Sequence, residues 1–226
     1  MHPRDGSPSR GGPGGGAQRR SAGMVRYVVS TVNKQYKPGL VDGPAGSARF
    51  RAPSSVCELP LAAARRASDA PDQDKKHAKA AVLVADTGNN VLRLLLMGNG
   101  SSGNSAGWWV GRFAPKTTLM QPRGVCVLPD SVLVCDSGHH RIRCVALDGS
   151  SAMPYAGSGK KGHKDGPVES AQFDTPSHVC VCPSDKSIIV GITAPRLHLH
   201  AQCSCQLCGL AGEASACSAP GPVSLV

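Results

Sequence analysis

The feature that most constrains the fold is a short segment that occurs twice in the chain. VLVADTGNNVLR spans 82–93, and VLVCDSGHHRIR spans 132–143. In each copy a run of consecutive apolar residues precedes an aspartate, which predicts a strand covered on both faces rather than one with a face in water. The Asp-x-Gly sequence and the Asn or His residues after it predict a hairpin. In that turn the carboxylate would accept hydrogen bonds from turn amides, while Gly and Asn would take positive φ.

Two further motifs recur around these hairpins in a constant order. Pro-x-x-Val-Cys-x-x-Pro begins at Pro53, Pro122 and Pro176, and Asp-Gly-Pro begins at Asp42 and Asp165. The steps between the prolines are 176 − 122 = 54 residues and 122 − 53 = 69 residues. The longer step contains an insertion at 61–80, for which we expect a short helix before Pro71 followed by a charged loop. Without it the period is about 50 residues, which is typical of a four-stranded propeller blade.

The combined order of these motifs resembles NHL-repeat β-propellers over roughly residues 28–190. The resemblance implies an all-β fold, an incomplete NHL-like β-propeller of about three four-stranded blades around a central channel. Propellers of that family are usually platforms for protein or RNA partners, and occasionally lyases or hydrolases. The residues that would carry structural roles in the repeat are Asp42, Gly43, Phe50, Pro53, Asp86, Gly88, Asn89, Pro122, Asp136, Gly138, His139, Asp165, Gly166, Phe173 and Pro176.

The repeats are less regular in the second and third units. The second lacks Asp-Gly, its aromatic position is ambiguous between Phe113 and Met120, and 108–110 is expected to form its outer strand. In the third, Ile192 stands where the other units have Asp, and the later sequence carries no repeat signal. We therefore expect the end of a truncated or frame-shifted product. About three units cannot close a ring, so oligomerisation could complete it.

Composition divides the chain into three regions. Residues 1–24 are rich in Gly, Pro and Arg and are expected to be disordered, with an organelle transit sequence as the alternative. The blades occupy 25–200, and 201–226 is expected to be an irregular, Cys-containing tail. The sequence has no apolar run long enough for a secretory signal or a membrane span, so a cytoplasmic location without membrane association is expected.

The formal net charge of +10 favours acidic partners. In the family's strand order, the loops before the first and third units share a face with the Asp-x-Gly turns. Their cations would then form an electropositive rim for a partner, or they would simply be solvated. The candidate partner-binding residues are Lys34, Lys37, Lys160, Lys161, His163 and Lys164 in the loops, with Arg123 and His178 near the channel mouth.

Three functions remain open at this point. The favoured one is a non-catalytic protein-binding scaffold without a cofactor, and the first alternative is an RNA-binding propeller that uses the basic loops. The second alternative is a metal-dependent lyase or lactone hydrolase, for which the inner strands supply only Glu58 and His178. A zinc site over 198–208 is also conceivable from its His and Cys residues, although their spacing is crowded.

Overall fold

The computed structural model describes residues 37–98, 108–182, 187–192 and 223–225. The first sheet has the strand order β1-β5-β4-β3-β2, and every neighbouring pair in it is antiparallel. Its strands are β1 (Gly43–Pro44), β2 (Pro53–Glu58), β3 (Ala78–Asp86), β4 (Val91–Gly98) and β5 (Trp108–Phe113).

The second sheet is an antiparallel meander in the order β6-β7-β8-β9. The third sheet has the order β10-β11-β12. The strands are β6 (Pro122–Val127), β7 (Ser131–Asp136), β8 (Arg141–Ala146), β9 (Ala152–Ala156), β10 (Pro176–Val181), β11 (Ile188–Ile192) and β12 (Val223–Leu225). The protein is therefore all-β in class, with several largely antiparallel sheets, and these blade-like sheets fit a β-propeller-like fold.

The third sheet differs from the four-stranded blade that the sequence predicts. β10 and β11 pair in the antiparallel sense, whereas β12 runs parallel to β11. Val223–Leu225 is thus a strand inside a tail expected to be irregular. The physical reason lies in the hairpin: because Ile192 replaces the aspartate that closes the other two turns, β11 has no antiparallel successor among the described residues. Its free edge pairs with β12 instead.

The strand that contains Trp108 and Trp109 belongs to the first sheet rather than to the second unit. Trp109 pairs with Leu96 of β4, which makes β5 the outer strand of the first unit. The two indoles pack on opposite faces of that sheet, as alternation along a strand requires. The second unit then begins directly with the loop before β6.

The insertion at 61–80 forms two short helices, α1 (Leu61–Ala67) and α2 (Asp72–His77), where the sequence predicted one helix and a charged loop. Ala63 and Ala64 of α1 are buried, and Ala64 packs in the apolar cluster of the first sheet. No residue of α2 is buried, but its acidic residues lie in the first turn and its basic residues in the last. That arrangement complements the helix dipole, which favours a helix without an apolar face.

The apolar runs of β3 and β7 are buried on both faces, as the sequence predicted. Leu83 of β3 and Val134 of β7 belong to the apolar cluster between the first and second sheets. Leu133 faces the third sheet, and Val84 faces the opposite side of the first. Successive sheets therefore stack in sequence order, each covering one face of the next.

The inner strands of the three sheets lie side by side. Ser54 Oγ of β2 donates to the Arg123 carbonyl of β6 at 3.0 Å. A Cβ on Gly124 of β6 would lie 2.8 Å from the Cα of His178 in β10. Such close approach of two backbones requires glycine. No helix within the described residues has the length and apolar composition needed to cross a bilayer.

Candidate interaction face

The two hairpins predicted from the repeat connect β3 to β4 and β7 to β8. Each is a single 3₁₀ turn followed by a residue in the left-handed region, Asn90 at φ 59° and His140 at φ 52°. We call the end of the sheets that carries 86–91 and 136–141 the hairpin face.

The turn glycines do not supply the positive φ that the sequence assigned to them. Gly88 donates its N–H to the Arg51 carbonyl at 2.8 Å, and a Cβ there would lie 2.6 Å from that oxygen. Gly138 approaches Met120 in the same way, with an N–H to carbonyl distance of 2.8 Å. Glycine is needed at these positions for close backbone approach to the preceding loop.

The hairpin aspartates also have different partners from those predicted. Asp86 accepts the N–H of Arg51 at 2.7 Å, and Asp136 accepts that of Met120 at 2.8 Å. Both carboxylates are completely buried. They close the loop that leads into the inner strand, rather than the turn in which they lie.

Side chains of the turns support these carboxylates. Asn89 donates to Asp86 at 2.8 Å and to the Gly39 carbonyl at 2.8 Å, while His139 Nδ1 lies 2.9 Å from Asp136. Burial raises the pKa of Asp86, and hydrogen bonds from Asn89, the Arg51 N–H and Arg93 oppose that rise.

Arg93 is the main structural residue that sequence reasoning missed. Its guanidinium is fully buried, with Nη2 2.6 Å from Asp42 Oδ1 and Nη1 3.2 Å from Asp86 Oδ2. It also donates to the backbone carbonyls of Arg49 and Val41. Arg93 therefore fastens the loop before the first unit to β4. The signal was an Arg at the same repeat position in both copies, since Arg143 occupies the equivalent place.

The ring of Phe50 lies below this guanidinium, 4.8 Å from its central carbon, which adds a cation–π contact. Phe50 packs on the side of the first sheet away from the second, whereas Phe173 fills the space between the second and third sheets. In the second unit the equivalent position is Leu119, not Phe113 or Met120. Because the Met120 N–H bonds Asp136 as Arg51 bonds Asp86, the residue before it aligns with Phe50.

A second repeated contact, a hydrogen bond from a hydroxyl to a backbone carbonyl, joins each hairpin to the next unit. Thr87 Oγ1 donates to the Pro122 carbonyl at 2.7 Å, and Ser137 Oγ donates to the Pro176 carbonyl. These prolines begin β6 and β10, as Pro53 begins β2. The hydroxyl group of the residue after each hairpin aspartate thus donates a hydrogen bond that links two units.

The residue in the left-handed region of each hairpin also makes a hydrogen bond to the next unit, but its side chain accepts the bond from a backbone N–H instead of donating one. Asn90 Oδ1 accepts the Gln121 N–H at 2.7 Å, and His140 Nδ1 accepts the Thr175 N–H at 3.2 Å. A hydroxyl followed three positions later by Asn or His in both copies was the sequence signal for this pair of links. In the third unit Ile192 pairs with Pro176 at the position of the two aspartates.

We expect Thr87→Val to lower the free energy of unfolding by about 1–2 kcal/mol, because it removes the hydroxyl that donates to the Pro122 carbonyl and leaves that carbonyl without this donor. Urea unfolding measures this change. Thr118→Val is the matched control, since Thr118 is exposed and should leave the midpoint unchanged. Equal midpoints for the two variants would contradict the link between units.

The basic loops lie on the hairpin face. The loop at 157–166 passes beside the second hairpin, since a Cβ on Gly157 would lie 3.1 Å from the Cα of Arg141 and one on Gly159 would lie 3.7 Å from the His139 carbonyl oxygen. Lys160, Lys161, His163 and Lys164 are exposed, and Lys161 Nζ lies 3.5 Å from Asp174. Asp165 is exposed, and Gly166 has φ 148°, as Gly43 has φ 120° at the equivalent turn.

The remaining candidates are more scattered. Lys37 is exposed in the loop before the first unit, and Lys34 lies outside the described residues. Arg123 is half-buried and His178 exposed, both near the start of an inner strand at the hairpin face. Glu58 ends β2 and pairs with Val82, so it lies at the opposite end of the inner strands. The leader at 1–24 and the zinc alternative at 198–208 lie outside the described residues.

Residues 119–145 match the NHL repeat family, a segment that includes Leu119, β6, β7 and the second hairpin. No curated protein matches the chain. An auxiliary nutrient-binding protein from Bacteroides ovatus ATCC 8483 is similar in structure, with a TM-score of 0.36 and 16% sequence identity. The similarity covers 45% of this chain and 29% of that one, so the chain spans less than a third of that structure. The match to the NHL repeat family thus covers one repeat-length segment of the chain, residues 119–145 of 226.

Proposed function

We propose that this chain is a β-propeller-like protein-binding module without catalytic activity, and that its hairpin face docks an acidic protein segment. The proposal rests mainly on the structure of the loop at 157–166. Its lysines are exposed while its backbone is fixed to neighbouring segments.

Backbone hydrogen bonds hold the loop in place at several positions along its length. The Gly162 N–H bonds the Phe173 carbonyl at 3.2 Å, and the Lys164 N–H bonds the Gln172 carbonyl at 3.1 Å. The loop therefore presents its cations with little backbone entropy left to lose when a partner binds. The hairpin carboxylates nearby are buried and paired with cations, so the acidic groups that offset these lysines toward solvent are Asp165 in the loop and Asp174, which pairs with Lys161.

A protein partner fits this face better than single-stranded RNA. Binding of unpaired bases normally uses exposed aromatic side chains as stacking surfaces. The phenylalanines of the described residues, Phe50, Phe113 and Phe173, are all buried. The half-buried Trp109 contacts Asp69 of the insertion, away from the hairpin face.

RNA binding remains the second candidate because the same lysines would neutralise phosphates. It predicts an affinity for a single-stranded RNA that falls steeply between low and physiological salt. Affinity that is unchanged over that range would eliminate this candidate.

A metal-dependent lyase or lactone hydrolase is disfavoured by the positions of the groups that the inner strands supply. Such chemistry requires carboxylates or histidines that converge on one point. Glu58 and His178 lie at opposite ends of their strands, so this pair cannot share a metal ion.

We expect changing Lys160, Lys161 and Lys164 together to Ala to weaken binding of a short poly-glutamate peptide by roughly 5- to 30-fold. Exposed ion pairs contribute about 0.2–1 kcal/mol each, and three of them account for that factor. Fluorescence anisotropy of the labelled peptide measures it. The matched control is Lys76→Ala with Lys79→Ala, which removes exposed lysines from α2 and the start of β3.

Both variants should keep the melting midpoint of the parent chain. Equal peptide affinity for the loop variant and the control would contradict the assignment of the partner surface. A loss of folding in the loop variant would show that these lysines stabilise the fold instead.

A further inference from the structure

The first and second units hold their hairpin carboxylate in chemically different ways. In the first unit two carboxylates, Asp42 and Asp86, face two guanidiniums, Arg93 and Arg112. The two negative charges of the carboxylates therefore balance the two positive charges of the guanidiniums. Arg93 uses one terminal nitrogen for each carboxylate.

In the second unit one carboxylate faces two guanidiniums. Asp136 Oδ2 lies 2.9 Å from Arg143 Nε and 3.4 Å from Arg141 Nε, and His139 Nδ1 lies 2.9 Å from both carboxylate oxygens. No other described carboxylate lies within 4.0 Å of either arginine. The loop into β6, Ala114–Gln121, contains no acidic residue and does contain Lys116. The cluster of Asp136, Arg141 and Arg143 therefore carries one excess positive charge, without counting His139.

The terminal nitrogens of this arginine pair remain available. Each arginine uses its Nε for Asp136, and neither has another hydrogen-bond acceptor within residues 37–98, 108–182 and 187–192. Side-chain exposure is 14% for Arg143 and 26% for Arg141, so solvent reaches both. Arg93, in contrast, is sealed from solvent by Asp42 and the loop that carries it.

We propose that Arg141 and Arg143 form a receptor for one carboxylate from an acidic peptide, which takes the place that Asp42 holds in the first unit. A carboxylate matches the planar fork of a guanidinium, and partial burial strengthens a charge-assisted hydrogen bond. This inference rests on the proposed protein-binding function and specifies its ligand: a single Asp or Glu side chain, bound beside the second hairpin rather than at the lysine loop.

The test uses the chain's own sequence as the probe. A synthetic peptide with the sequence of 40–46, LVDGPAG, carries the aspartate that fills this place in the first unit. The matched control peptide has Asn instead of Asp, and both peptides are acetylated at the N-terminus and amidated at the C-terminus, so that the Asp side chain is their only carboxylate. Both are titrated into the full chain while the Nε–Hε signals of the arginines are followed by NMR.

The Asp peptide should shift the signals of Arg141 and Arg143 in a saturable way and leave that of Arg93 unchanged. The Asn peptide should bind at least about tenfold more weakly, because it removes a charge-assisted bond. Equal affinity of the two peptides would overturn the proposal, as would a shift of Arg93 without one of Arg143. Inorganic phosphate that displaces the Asp peptide at equal or lower concentration would overturn the assignment to a carboxylate.

Two variants separate this site from the lysine loop. Arg143→Lys keeps the charge but loses the fork, so it should weaken the Asp peptide, while Lys161→Ala should leave its affinity within twofold of the parent. If Lys161→Ala abolishes binding and Arg143→Lys does not, the receptor lies in the loop and the inference is wrong. If the lysine loop proves irrelevant to poly-glutamate but Arg143 responds to the Asp peptide, the proposed surface fails while this site stands. The parent chain with the two peptides remains a valid test even if Arg143→Lys does not fold.

Discussion

Replacing Arg93 with methionine is expected to lower the free energy of unfolding by about 3–5 kcal/mol, the range for breaking a buried ion pair from one side. Methionine fills much of the same volume but leaves Asp86 buried without its cation. It also leaves the carbonyls of Arg49 and Val41 without their donor. Since small domains are stable by only about 5–15 kcal/mol, this one change removes a large share of the total.

Urea unfolding followed by circular dichroism measures the loss. Arg112→Met is the matched control, because Arg112 pairs with Asp42 but is 46% exposed. Exposed pairs contribute about 0–1 kcal/mol, so the control should cost little. Combining Arg93→Met with Asp86→Asn should cost less than the sum of the two single changes, since both remove one buried pair. Equal losses for Arg93 and Arg112 would contradict the role assigned to Arg93.

Replacing Asp136 with Ala is expected to cost about 3–5 kcal/mol, the second of the two largest effects. The change leaves the Met120 N–H without its acceptor and sets His139, Arg141 and Arg143 close together without the anion between them.

Asp136→Asn separates the two contributions to that loss. It keeps an oxygen for the Met120 N–H but removes the charge, so its cost should be smaller than that of Ala. Thermal and urea unfolding of both variants give the comparison, and amide exchange at Met120 reports the backbone bond alone. An unchanged Tm for Asp136→Ala would contradict the buried cluster, whereas similar costs for Ala and Asn would show that charge rather than the backbone bond dominates.

The repeat allowed much of the local structure to be predicted. Consecutive apolar residues gave β3 and β7 as strands covered on both faces, and the recurring prolines gave the starts of β2, β6 and β10. These features depend on residues that are close in sequence and recur at a constant spacing. Local pattern is therefore sufficient to locate them.

The chemistry of the hairpin face was not predictable in the same way. The contact between Asp42 and Arg93 joins residues 51 positions apart, 93 − 42, and nothing in the local spacing pairs them. The substitution of Leu119 for an aromatic residue was hidden because the loop before β6 lacks the Asp-Gly-Pro motif that sets the register elsewhere. The pairing of β12 with β11 has no sequence signal, because a free strand edge accepts backbone bonds whatever the side chains.

Successive units of the chain stack as separate sheets whose inner strands lie side by side. The most direct test is the nuclear Overhauser effect between the Hα protons of Gly124 in β6 and His178 in β10, because a Cβ on Gly124 would lie 2.8 Å from the Cα of His178. The stacked arrangement predicts a strong cross-peak, together with the β6–β7 peaks expected from pairing of Val125 with Val134. Strong β6–β7 peaks without a peak between Gly124 and His178 would contradict it.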